Sequence, residues 1–259
     1  MKFSILNAFV DTPMSGNPAS VCFMQEWLAD ERMLKIAAQF GYSETAFVVE
    51  EDDRYLLRWF TPVTEVDLCG HATMAAAHSI FSTRPDRSEL DFETRSGKLT
   101  VRKDGHLLAM DFPARQLRAF GDIHELSQCL NTEVLGAVTA GPTVIAVVRD
   151  EATVADIRPD LKRIKALQFN ALIPTATGSD VDFVSRFFGP KIGIPEDPIT
   201  GAAHTGLAPY WSRRLGKSSL RAKQLSPRGG FISCMLQDDR VELSGSAEVF
   251  ATGVLHSLL

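Results

Sequence analysis

The chain has 259 residues, 45% of them hydrophobic and 23% charged, an ordinary globular composition with material for one large domain or two compact ones. Its 27 Lys and Arg against 32 Asp and Glu leave a net charge of −5, and no long basic run stands out, which argues against a large nucleic-acid footprint. A mildly acidic chain can still take an acidic ligand, because one local site can oppose the global sign.

At the start, a short apolar stretch meets Asp11 too early for the apolar region of a signal peptide, so a cytoplasmic protein is expected. Residues 2–10 and 19–23 read as strands. Asp30 is expected to cap a helix that carries Met33, Ile36, Ala37 and Phe40 on one face and ends at Gly41. Strands follow at 46–49 and 55–60, and Gly70 opens a helix running to about residue 81. Residues 91–93, 98–102 and 107–112 read as strands, with Asp104-Gly105 as a hairpin turn. After a boundary region at 114–131 come a strand at 143–148, a helix near 160–169 and strands at 171–174 and 182–188. A helix at 202–215 and strands near Lys223, Ile232 and Val241 complete the chain. The longest apolar region, 134–148, is broken by Gly136, Gly141 and Pro142 and is shorter than a membrane span.

The order of elements repeats, and so do short motifs. Arg58-Trp59-Phe60-Thr61-Pro62 matches Arg186-Phe187-Phe188-Gly189-Pro190. Cys69-Gly70-His71-Ala72-Thr73 matches Thr200-Gly201-Ala202-Ala203-His204, and Thr94-Arg95-Ser96-Gly97-Lys98-Leu99 matches Pro227-Arg228-Gly229-Gly230-Phe231-Ile232. Three markers in one order point to an internal duplication. Each half then holds several strands and two helices, an α+β organisation. The halves are placed at 1–118 and 119–259, with the last strand free to cross back to the first half.

Three constellations carry chemistry. Gly70 and Gly201 each open a helix, and a helix N-terminus offers unpaired N–H groups and partial positive charge to an anion; a tight turn alone also explains each glycine. Glu44 lies in Gly41-Tyr42-Ser43-Glu44-Thr45-Ala46-Phe47, between a helix end and an apolar strand. A carboxyl there is either a desolvated general acid/base or a solvated loop residue. Asp197, held between Pro195 and Pro198, either bonds a substrate amine or hydroxyl or accepts backbone N–H groups of its own turn. His71 follows Gly70 at a helix start, where a neutral imidazole is favoured; His204 reads as a structural hydrogen-bonder. The four cysteines, Cys22, Cys69, Cys129 and Cys234, form no Cys-x-x-Cys pair, and all but Cys69 read as core residues.

Gly16-Asn17-Pro18, Ser43-Glu44-Thr45-Ala46-Phe47, Asp67-Leu68-Cys69-Gly70-His71-Ala72-Thr73 and Glu196-Asp197-Pro198-Ile199-Thr200-Gly201-Ala202-Ala203-His204 together resemble the phenazine-biosynthesis isomerase family, the PhzF-like proteins. The resemblance implies two pseudo-symmetric diaminopimelate-epimerase-like domains with the active site in the cleft between them. It implies no metal, no pyridoxal phosphate or other cofactor, and a homodimer. It also implies Glu44 as general acid/base, His71 and Asp197 as its catalytic companions, and Asn17, Gly70, Gly201 and Ala202 as substrate-binding positions. The expected reaction is a proton transfer on a small carboxylate-bearing substrate. Ala202 stands where the phenazine enzyme has a serine. A site built to bond a polar group discriminates strongly once that bond is lost, so a different small acid is expected. Epimerases of this fold carry a cysteine on each helix start. Here the pair is Cys69 and Thr200, which leaves a dehydratase or epimerase as one alternative and a non-catalytic small-molecule binder as another.

Overall fold

Apolar residues in strand-length runs build the first unit, Met1–Asp111 with the segment from Ser244 onward, in a computed structural model that describes residues 1–52 and 54–256. β1 (Lys2–Ala8) and β2 (Asn17–Met24) pair antiparallel, and β2 lies parallel to β3 (Thr45–Glu51). β3 turns back antiparallel into β4 (Arg54–Phe60), on which the short β5 (Glu65–Val66) folds. The two parallel pairings, β2 with β3 and β4 with β6 (Glu89–Thr94), need crossovers, supplied by α1 (Asp30–Phe40) and α2 (Gly70–Thr83). β7 (Gly97–Asp104) and β8 (Leu107–Pro113) continue as a meander. The terminal strand Ala247–Val254 pairs antiparallel with β1, across a bulge between Ile5 and Leu6.

α1 buries Met33 and Ala37, and Gly41 closes it in the left-handed conformation at φ 72°, donating its N–H to Ala37 O at 3.0 Å. Its cap differs from expectation. Ala29 is the N-cap, and Asp30, the first helical residue, turns its carboxyl to Arg58 at 2.9 Å. α2 is apolar nearly all round, with buried residues from His71 to Phe81, and its alanines let it lie close against β1 and β2. Gly16, in the turn before β2, has φ +82°, and a Cβ there would meet Ala8 O at 2.5 Å, which accounts for glycine at the head of Gly16-Asn17-Pro18.

The second unit is Phe112–Leu243. It comprises β9 (Leu117–Phe120), α3 (Ile123–Leu130), β10 (Gly136–Ala140), β11 (Thr143–Val147), α4 (Glu151–Asp156), α5 (Leu161–Ala166) and β12 (Ala171–Thr177). β13 (Phe183–Ser185), β14 (Phe187–Gly189), β15 (Ile194–Asp197), α6 (Gly201–Leu215), β16 (Ser219–Gln224) and β17 (Gly230–Gln237) follow. The pairings β9–β10–β11–β12–β13–β16–β17 are antiparallel, antiparallel, parallel, antiparallel, parallel, antiparallel. The first unit shows the same succession from the terminal strand through β1, β2, β3, β4 and β6 to β7. The repeated arginines explain why the motif recurs. Arg58 grips Glu65 with two nitrogens at 2.7 Å and lies over Phe60; Arg186 grips Glu196 at 2.7 and 3.0 Å and lies over Phe188.

Three expected elements differ. The boundary region holds β9 and α3, whose Asp122 accepts from Glu125 N. The helix near 160–169 is only α5, capped by Asp160. The strand at 182–188 divides at Arg186, because the residue opposite it, Pro174, has no N–H to return; Pro174 O still accepts from Arg186 N at 3.0 Å.

Candidate active site

Gly41 ends α1 and releases residues 42–44 as a loop into β3, whose first residue is anchored by a 2.6 Å bond between the hydroxyls of Thr45 and Ser20. Glu44 is held just before that anchor, with 12% of its side chain exposed. His71 lies in the first turn of α2, and its Nε2 stands 3.3 Å from Glu44 Oε2 and 3.4 Å from Ser43 Oγ. Cys69, the N-cap residue, brings Sγ to 3.5 Å from His71 Nδ1, and its carbonyl accepts both the hydroxyl and the N–H of Thr73. Burial drives the Glu44 carboxyl above the ordinary glutamate range, against the opposing pull of bonds from Ser43 and Cys69. Glu44 Oε2 is buried and has no well-aligned hydrogen bond, its contact to His71 being ionic only when the imidazole is protonated. The N-cap residue of α2, Cys69, makes no side-chain bond to the first turn, and the helix presents the positive end of its dipole there.

The second unit gathers Asp197, Thr200, Gly201, Ala202, His204 and Gln224. Asp197, 5% exposed at the end of β15, accepts the Thr200 hydroxyl at Oδ2. Gln224 clamps the loop, donating Nε2 to Asp197 O at 2.6 Å and accepting Thr200 N at 3.0 Å. Gly201 is buried at the start of α6, which also lacks a side-chain cap, and Ala202 is exposed beside it. His204 Nδ1 lies 2.8 Å from Thr200 O, and full burial pushes its pKa down to about 4, which makes it a neutral, structural imidazole.

The structure thus brings Glu44 and His71 together, joined by Ser43 and Cys69, and groups Asp197 with Gly201 and Ala202; Asn17 is buried at the first position of β2. Ser43 was legible only as the neighbour of Glu44 in its motif. Gln224 lies 27 residues from Asp197 and carries no local signal. Cys69, His71 and Glu44 also offer sulfur, nitrogen and oxygen atoms within 4.8 Å of one another, a set able to hold a metal ion.

A mixed sheet with helical crossovers is shared with a probable proline racemase from Agrobacterium radiobacter. It covers 99% of this chain and 93% of that one at TM-score 0.64 and 9% identity, a likeness of fold alone. Residues 6–253 match the family described as phenazine biosynthesis-like protein, and the chain belongs to that family. A protein of Pseudomonas aeruginosa named as an uncharacterized isomerase is 47% identical over 252 residues, 97% of each chain. The crystal structure of a PhzF-family phenazine biosynthesis protein from Enterococcus faecalis has TM-score 0.94 and 42% identity over 97% of both chains. No helix among the described residues is long and apolar enough to cross a membrane.

Proposed function

We propose that the chain is a cofactor-independent isomerase that moves a proton on a small carboxylate-bearing substrate, with Glu44 as general acid/base. One observation carries this reading: a desolvated carboxyl sits against an imidazole at the uncapped start of a buried helix. A solvated loop glutamate needs neither the burial nor the partner. Glu44 takes a proton from a carbon acidified by a neighbouring carbonyl or carboxylate and returns it to a second carbon. The positive end of the α2 dipole, at Gly70 and His71, stabilises the negative charge that develops meanwhile. His71 orients the Glu44 carboxyl, and Asn17, Asp197, Gly201 and Ala202 are assigned to substrate binding. The isomerase name carried by the Pseudomonas relative supports the class of reaction.

The contact of Cys69 Sγ with His71 favours a second reading, thiol chemistry of the dehydratase kind, but the Thr200 hydroxyl that would complete it is committed to Asp197. The test is incorporation of deuterium from heavy water into a panel of small carboxylic acids. An isomerase exchanges a carbon-bound proton without loss of mass, a dehydratase yields a product lighter by one water, and a binding protein holds a compound with no exchange. Tight binding without exchange overturns the proposal.

A further inference from the structure

We propose that Glu44, Cys69 and His71 form an inhibitory binding site for a soft divalent cation, zinc foremost. The inhibition, though not the geometry of the site, rests on the reading of Glu44 as the proton carrier. Four-coordinate zinc holds sulfur at about 2.3 Å and nitrogen or oxygen at about 2.0–2.1 Å, which sets neighbouring ligand atoms roughly 3.3–3.6 Å apart. His71 Nε2 stands 3.3 Å from Glu44 Oε2 and 3.9 Å from Cys69 Sγ, and all the candidate atoms fall within 4.8 Å. The sulfur is also 3.5 Å from Nδ1, so it lies beside the ring rather than beyond Nε2. Binding therefore requires the imidazole to turn about its Cβ–Cγ bond until Nε2 faces the sulfur.

A second observation points the same way. Glu44 Oε2 is a buried carboxylate oxygen with no hydrogen bond, which a cation satisfies. Thiolate, imidazole and carboxylate together suit zinc or cobalt; magnesium and calcium take all-oxygen sets. The fourth position is left to water. The other cysteines do not compete, since among the described residues only Cys69 stands in a group with two further ligand side chains. On binding, the Cys69 S–H bond breaks as the sulfur–metal bond forms. Its proton, with that of Glu44 where one is present, goes to solvent, and no electrons are transferred. The ion then occupies the carboxyl that carries the proton.

Cobalt(II) titrated into metal-free protein tests this independently of activity. The expected result is a thiolate-to-cobalt charge-transfer band saturating at one equivalent, displaced by zinc and absent from Cys69→Ser. Zinc affinity by calorimetry should fall by at least roughly tenfold in both Cys69→Ser and His71→Gln; should one variant fail to fold, the other carries the test. Absence of the band in the wild type, or its persistence in Cys69→Ser, overturns the metal site. Deuterium exchange by metal-free protein that lacks the band removes this site and leaves the acid–base reading standing. The band in a protein that exchanges no compound does the reverse. Saturating zinc should stop exchange, and a chelator should restore it.

Discussion

Glu44→Gln lowers turnover by about 100- to 10,000-fold, the range a positioned general acid/base contributes, while ligand affinity stays within about tenfold of wild type. Glutamine keeps the shape and the hydrogen-bonding oxygen of the side chain but carries no transferable proton at working pH. The loss therefore falls on kcat rather than on binding, the pattern of an interaction made only in the transition state. Single-turnover conversion and a separate binding isotherm, run on one compound from the exchange panel, separate the two quantities. A variant with wild-type turnover removes Glu44 from the chemistry. The same substitution also changes stability, in a direction fixed by linkage. The folded-state pKa of Glu44 is raised above 4.5, so the native state holds that proton more tightly than the unfolded chain does. Its contribution to stability is full below that value and is lost as pH rises through the raised pKa. Glutamine escapes the loss, and Glu44→Gln is the more thermostable protein at neutral pH, with the gap closing in acid.

The largest stability effect belongs to Arg186→Met in the second unit. The Arg186 side chain is 8% exposed and grips Glu196 with two nitrogens. Nη1 serves the carbonyls of Ile157, Ala155 and Val154 at 2.8, 3.3 and 3.4 Å. Methionine fills the space over Phe188 but leaves a carboxylate and several carbonyls without their donor. Removing one member of a buried pair costs about 3–5 kcal/mol, or roughly 10 °C in melting temperature for a chain of this size. Arg58→Met in the first unit costs less. Arg58 is 19% exposed, its second partner Asp30 is 71% exposed, and Glu65 retains Arg95 at 2.6 Å. Lysine at 186 does not restore the loss, because a point charge cannot reproduce the two-pronged grip. Scanning calorimetry on the three variants checks this; equal losses at 58 and 186 would show that burial does not separate the two pairs.

These arginines also show what a sequence can carry. Each unit needs one Arg beside one aromatic ring, so the duplication left a repeated Arg-aromatic-Phe signature that could be read directly. Gly41 and the buried Met33 and Ala37 were legible for a similar reason, since one turn of helix determines them. Features that depend on distant residues were not. The break at Arg186 comes from Pro174 on the neighbouring strand, and Asp30 surrenders its cap to Arg58 across 28 residues. α3 has only eight residues, too few turns for its buried Leu126, Cys129 and Leu130 to establish a period. At the candidate site, Glu44, His71 and Asp197 were marked by motif, but the facts that give them chemical meaning were not. Desolvation of Glu44 stood as one of two readings and is decided by the fold, while the approach of Cys69 and the Gln224 clamp arise only when α2, β15 and β16 have folded around them.

That Glu44 is a buried carboxyl poised to carry a proton is the reading on which the proposed chemistry depends. Its most direct test is a pH titration of the Glu44 carboxyl carbon by nuclear magnetic resonance on protein labelled with carbon-13 at glutamate, the signal assigned by its absence from Glu44→Gln. The expected midpoint lies above that of the protein's exposed glutamates, as burial requires. A midpoint at or below theirs would mean a carboxylate that is solvated or permanently paired, and would contradict the assignment of Glu44 as the general acid/base.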